Sequence, residues 1–152
     1  MTEIGFYHLQ RTPLEKALPM LLEKVLERGF RAVVIAGSEE RVEALDTALW
    51  TYRDDSFLPH GSARDGNAEA QPIWLTVEDE NPNGASVLVL TDGTDSPHLD
   101  RFERCLLMFD GTDEEALAAA RRRWQTYKSA GHTLTYNQQT EQGGWDKKAE
   151  AG

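Results

Sequence analysis

From Phe30 to Gly37 the chain runs FRAVVIAG, a stretch of small and β-branched apolar side chains with no polar alternation. It is too short for a stable helix and has no wet face, so it reads as a strand covered on both sides. Such a strand requires helices packed on its sheet, and both flanks supply one. Upstream, Leu14, Ala17, Leu18, Leu21, Leu22, Val25 and Leu26 recur at three- and four-residue steps. Thr12 is placed to cap that helix, Pro13 to occupy its first position, Glu15 to complete a capping box and Gly29 to end it. Pro19 removes one internal hydrogen bond and is expected either to kink the helix or to delay the start of its regular part. Downstream, Ser38 caps a second helix, Glu39 and Glu40 meet the positive end of its dipole, and Val42, Leu45, Ala48 and Leu49 form its buried stripe.

The remaining segments extend the same pattern. IGFYHL (4–9) and RCLLMF (104–109) are further strands, and GHTLTY (131–136) is an expected edge strand. PIWLTV and SVLVLT are separated by too few residues for a helical crossover, which predicts an antiparallel pair and hence a mixed sheet. Residues 61–72 read as an exposed loop, and SPHLDRFE as a short helix. TDEE (112–115) opens a long helix that runs to about Ser129. Residues 1–136 thus make one α/β domain, and 137–152 a polar, flexible tail whose one apolar anchor is Trp145.

Charge and motif content narrow the function. Against 26 Asp plus Glu stand 16 Lys plus Arg, and the net charge of −10 disfavours direct nucleic-acid binding. The single cysteine, Cys105, sits in an apolar run and reads as a buried thiol, and no segment has the leader or span pattern of a secreted or membrane protein. A cytoplasmic location is expected. There is no phosphate loop, no dinucleotide fingerprint and no serine-hydrolase elbow. His8, His60, His98 and His132 lack metal-site spacing, so neither metal nor cofactor is expected. VLVLTDGTD (87–95) resembles the D-x-D-G-T of aspartate-nucleophile phosphatases, which makes a phosphatase using Asp92-Gly93-Thr94 the alternative enzymatic reading. The nucleophile position holds Leu90, so a type I turn at Asp92 and Asp95 is the simpler expectation.

Two regions concentrate cations and aromatic rings. ARRRWQTYK (120–128) is a basic island on an acidic chain. At 100° per residue Leu117, Ala120, Trp124 and Tyr127 share one face, and Arg121, Gln125 and Lys128 line the adjacent one. The cations either complement the helix dipole or form a ridge for an acidic peptide. A third use, stacking single-stranded DNA on Trp124 beside Arg121 to Arg123, has only one aromatic to support it. The second region, TALWTYRDDSFLPH (47–60), admits core, active-site or docking roles.

ALDTALWTYRDDSFLPHG (44–61), preceded by RAVVIAGSEERVE and followed by RRRWQTYKSAGHTL, resembles the chi subunit of bacterial DNA polymerase III holoenzyme over residues 3–136. The resemblance implies a Rossmann-like, single-domain layered α/β fold whose mixed, mostly parallel central sheet is flanked by helices. It further implies a noncatalytic accessory subunit of the clamp-loader assembly that binds the acidic C-terminal tail of single-strand DNA-binding protein during replication. The family also pairs with a small subunit, psi, which bridges to the clamp loader and whose surface this sequence does not mark. By position the resemblance implies a tail site of Phe57, Arg121, Trp124, Gln125 and Lys128, with Gln125 standing where a family member carries lysine. Trp50 is then expected in the core, and Pro59 with His60 in the turn that holds Phe57.

Overall fold

The computed structural model describes residues 2–52 and 58–151. Its strands are β1 (Glu3–Leu9), β2 (Ala32–Ile35), β3 (Gly61–Ser62), β4 (Ile73–Thr76), β5 (Val87–Leu90), β6 (Arg104–Asp110), β7 (Thr133–Gln139) and β8 (Trp145–Ala151). The helices are α1 (Leu14–Glu27), α2 (Glu39–Trp50) and α3 (Glu114–Ser129). All eight strands form one sheet in the order β3-β4-β2-β5-β6-β1-β7-β8, and only the β7–β8 pair is antiparallel. The fold is α/β with a mixed, mostly parallel sheet flanked by helices.

The sheet carries a core on each face. Leu18, Leu22, Leu45 and Leu49 of α1 and α2 pack with Val34, Leu75 and Val89 on one side. Ala120 and Tyr127 of α3 pack with Phe6, Leu88, Leu107 and Leu134 on the other. FRAVVIAG behaves as its composition dictates, since β2 is buried throughout between β4 and β5. Cys105 is fully buried, and the loss of solvent pushes its thiol up to about 12.

Several local expectations are corrected. β4 and β5 do not pair; each lies parallel to β2, on opposite sides of it. Because these strands have only four residues each, roughly 13 Å, the ten-residue segment 77–86 is long enough to return past β2 without a helix. The sheet is mixed on account of β8, and part of the expected loop at 61–72 is the edge strand β3 on β4. β7 is covered by β8, so the segment read as a polar tail beyond residue 136 continues β7 and then forms a hairpin. SPHLDRFE contributes only a 3-10 turn, Leu99–Arg101.

Cap residues shift as well. Ser38 caps α2 as expected, accepting from the Arg41 N–H, but α3 is capped by Asp113 rather than Thr112. Thr12 does not cap α1, whose preceding N–H groups are taken over by Gln139 from β7. Pro19 stays inside a continuous α1 and is buried. Asp92 and Gly93 both have positive φ, 54° and 77°, and Thr94 N–H donates to Thr91 O. The DGT turn is therefore of type I′, which the Asp-Gly pair favours, and not type I.

Candidate functional site

Helix α3 lies on the sheet as its periodicity requires. Ala120 and Tyr127 are buried, Leu117 and Trp124 half-buried, and Arg121, Gln125 and Lys128 exposed along the flank towards β7. Trp124 meets Phe6 edge-to-face at 5.3 Å and lies 6.2 Å from Tyr136. Tyr136 in turn hydrogen-bonds His8 Nδ1 and packs near Phe109. These rings form an aromatic shelf between α3 and β7, with Arg121 above it. Burial lowers the His8 pKa first, and the Arg121 charge lowers it further, against an opposing pull from Asp110. Burial likewise raises the Tyr136 hydroxyl while Arg121 draws it down. Both effects place the Arg121 guanidinium beside the shelf.

Not every arginine in RRR is alike. Arg123 donates to the carbonyls of Gly93 and Thr94, each at 2.6 Å, and ties α3 to the DGT turn. Tyr127 reaches the next residue of that turn, donating to Asp95 Oδ1 at 2.9 Å. Arg121, Arg122 and Lys128 have no salt bridge among the described residues. The structure thus brings together Arg121, Trp124, Gln125 and Lys128, while Phe57 lies outside the described residues. Sequence reasoning missed Tyr136 and His8 as neighbours of this flank. Strand alternation in TLTYN carried the signal, because Tyr136 points to the same face as buried Leu134.

The second aromatic region differs from expectation. Trp50 is 54% exposed rather than in the core, because Val42, Leu45 and Leu49 already fill the buried stripe of α2 and Trp50 falls one residue past it. Its ring lies 4.6 Å from that of His60. His60 itself is buried, with Nδ1 donating to Leu58 O at 2.5 Å and Nε2 3.0 Å from Asp46.

A cleft of about 720 Å³ opens on the other flank of α3, beyond the carboxyl ends of β1, β5 and β6. Its position has a topological cause. β1 leads into α1 on one face of the sheet and β6 into α3 on the opposite face, so the chain ends diverge between neighbouring strands. The charges around the DGT turn are already engaged. Arg41 bonds Glu15 at 2.6 Å and Asp92 at 3.2 Å, and Asp92 also accepts from Gly37 N–H. Asp92 therefore clamps the ends of β2 and β5, and the position a phosphatase nucleophile would need is buried Leu90. No three His, Cys, Asp or Glu side chains converge into a metal-binding group among the described residues.

Fold and site define an acidic α/β layer protein whose third helix presents an exposed cationic flank next to an aromatic shelf. The family model described as "DNA polymerase III chi subunit, HolC" matches residues 1–135, and the chain belongs to that family. The probable DNA polymerase III subunit chi of Rickettsia prowazekii is 39% identical over 95 residues, covering 62% of this chain and 58% of that relative. The match thus spans a little more than half of the relative's length. The DNA polymerase III subunit chi of Pseudomonas aeruginosa is 26% identical over 138 residues, covering 88% of this chain and 94% of the relative.

Proposed function

We propose that this chain is an accessory subunit of the bacterial DNA polymerase III assembly that captures the acidic C-terminal tail of single-strand DNA-binding protein on the exposed flank of α3. The observation that carries the reading is the pairing of Arg121 and Lys128, which have no carboxylate partner among the described residues, with the half-buried rings of Trp124 and Tyr136. A tail ending in carboxylates and a Pro-Phe needs both features: cations for the acids and an apolar recess for the final ring. Gln125 contributes a neutral amide to the middle of this flank, so binding leans on Arg121 and Lys128. Phe57 joins this site by resemblance alone. The subunit has no active site of its own in this reading. It attaches to clamp-loader subunits, through psi where that subunit exists, and approaches DNA only indirectly.

The test is calorimetric titration with a short acidic peptide ending in Pro-Phe, at low and moderate salt. Binding that weakens with salt and drops at least about tenfold in Arg121→Glu is expected. A peptide that binds wild type and Arg121→Glu equally, or neither at low salt, overturns the docking role.

A further inference from the structure

The helices do not cover the sheet evenly. On the face that carries α1 and α2, the helices lie over β2, β4, β5, β6 and the Leu9 end of β1, and the sheet beyond, at β7 and β8, is left open on that face. Where α1 ends, a groove of about 230 Å³ runs between the helix and this open part of the sheet. Its floor is apolar, with Tyr7 and Leu106 from the sheet and Phe30 after α1, and Trp145 of β8 forms one wall. Lys24, Arg28 and Arg104 stand around it, and no carboxylate lines it among the described residues.

We propose that this groove docks an acidic segment of a partner protein, one apolar side chain packing on Tyr7, Leu106, Phe30 and Trp145 while flanking carboxylates pair with Lys24, Arg28 and Arg104. Charge complementarity is the argument for that occupant. The molecule as a whole is acidic at −10, yet three cations from two separate elements collect at one apolar opening. Lys24 and Arg28, one helical turn apart, also complement the C-terminal dipole of α1, and that alone would explain them. It does not explain Arg104, which comes from β6, nor the aromatic floor.

Two of the three cations have no ion-pair partner among the described residues, and the third has a weak one. Arg104 has one exposed ion pair, to Glu3 at 3.5 Å, while Lys24 and Arg28 have none among the described residues. Burial raises the Tyr7 hydroxyl, and the charges of Arg104 and Arg28 pull against that rise, which places both guanidiniums over the groove floor. A nucleic acid fits less well. Tyr7 and Trp145 meet edge-to-face at 5.0 Å, which offers no parallel platform for a base, and the surrounding acidic surface repels a phosphate backbone. The groove lies on the opposite face of the sheet from Arg121, so it is independent of the tail site.

The test uses the full-length chain and a capped peptide of Asp and Glu residues around one central Phe, amidated so that it lacks a terminal carboxylate. Titration followed by amide and indole NMR shifts is expected to move Trp145, Leu106 and Arg28. Affinity read from the Trp145, Leu106 and Arg28 shifts is expected to fall at least about tenfold in Lys24→Gln/Arg28→Gln and with the central Phe replaced by Ser, while the same shifts persist in Arg121→Glu. Because Lys24 and Arg28 are exposed, the double variant should keep the wild-type spectrum elsewhere, which separates lost binding from lost folding. Shifts confined to α3, equal binding of the Ser peptide, or no shift at millimolar peptide would overturn the proposal. So would a concentration-dependent dimer that the double variant abolishes, since the occupant would then be a second copy of this chain.

Discussion

Replacing Gln139 with alanine removes a device that joins the end of β7 to the start of α1. The Gln139 side chain is 3% exposed, and its Oε1 accepts the backbone N–H groups of Gln10, Arg11 and Thr12 at 3.1, 2.8 and 3.1 Å. Its Nε2 donates to Thr12 Oγ1 at 2.7 Å. Four hydrogen bonds disappear in Gln139→Ala, each with a net worth of about 1 kcal/mol, and water recovers part of the loss at the half-buried N–H groups. The expected cost is therefore roughly 3 kcal/mol, which for a chain of this size lowers Tm by about 6–12 °C. Gln139→Glu keeps the triple acceptor next to the positive end of α1 and should lose about 1 kcal/mol or less. Urea unfolding followed by tryptophan fluorescence, with the slope checked for constancy, measures both variants. If alanine costs under about 0.5 kcal/mol, or if glutamate is as damaging as alanine, the amide is not the anchor described here.

Two further outcomes rest on the same physics. Arg123→Met should cost roughly 2 kcal/mol by unfolding, because two short charge-assisted bonds to Gly93 and Thr94 are lost, whereas exposed Arg122→Met should stay within about 0.5 kcal/mol. His8 has a lowered folded pKa, so the unfolded chain takes up its proton first as pH drops. Its contribution to stability is complete above the ordinary histidine value of about 6.5 and is lost as pH falls from there through the folded value. An imidazole titration by NMR should give His8 a midpoint below the usual range, and a midpoint at or above it contradicts the burial and Arg121 argument.

Much of the architecture was legible because it is local. The unbroken apolar run of β2, the Ser38 cap and the 3.6-residue spacing of α1, α2 and α3 depend on neighbours within about one helical turn, so the chain itself displays them. The α3 flank of Arg121, Gln125 and Lys128 was legible for the same reason. What failed was whatever depends on a distant partner. Thr12 has the composition of a cap, but Gln139, over a hundred residues away, accepts the Thr12 N–H and donates its Nε2 to the Thr12 hydroxyl, which engages that side chain outside the helix. The brevity of the 77–86 connection argued for an antiparallel pair only because the four-residue length of the strands it joins was not visible.

Amino-acid order alone determined the helices, the buried central strand, the acidic surface and the cationic flank, since each follows from side-chain type and spacing along one element. Only the tertiary structure decided that β2 separates β4 from β5 and that polar residues 145–151 close the sheet as β8. It also separated Arg123, which is tied to a turn, from Arg121, which is exposed. The physical reason is common to all three. Strand partners, cleft walls and the engagement of a charge are set by groups brought together from distant parts of the chain, and no local period encodes which of them will meet.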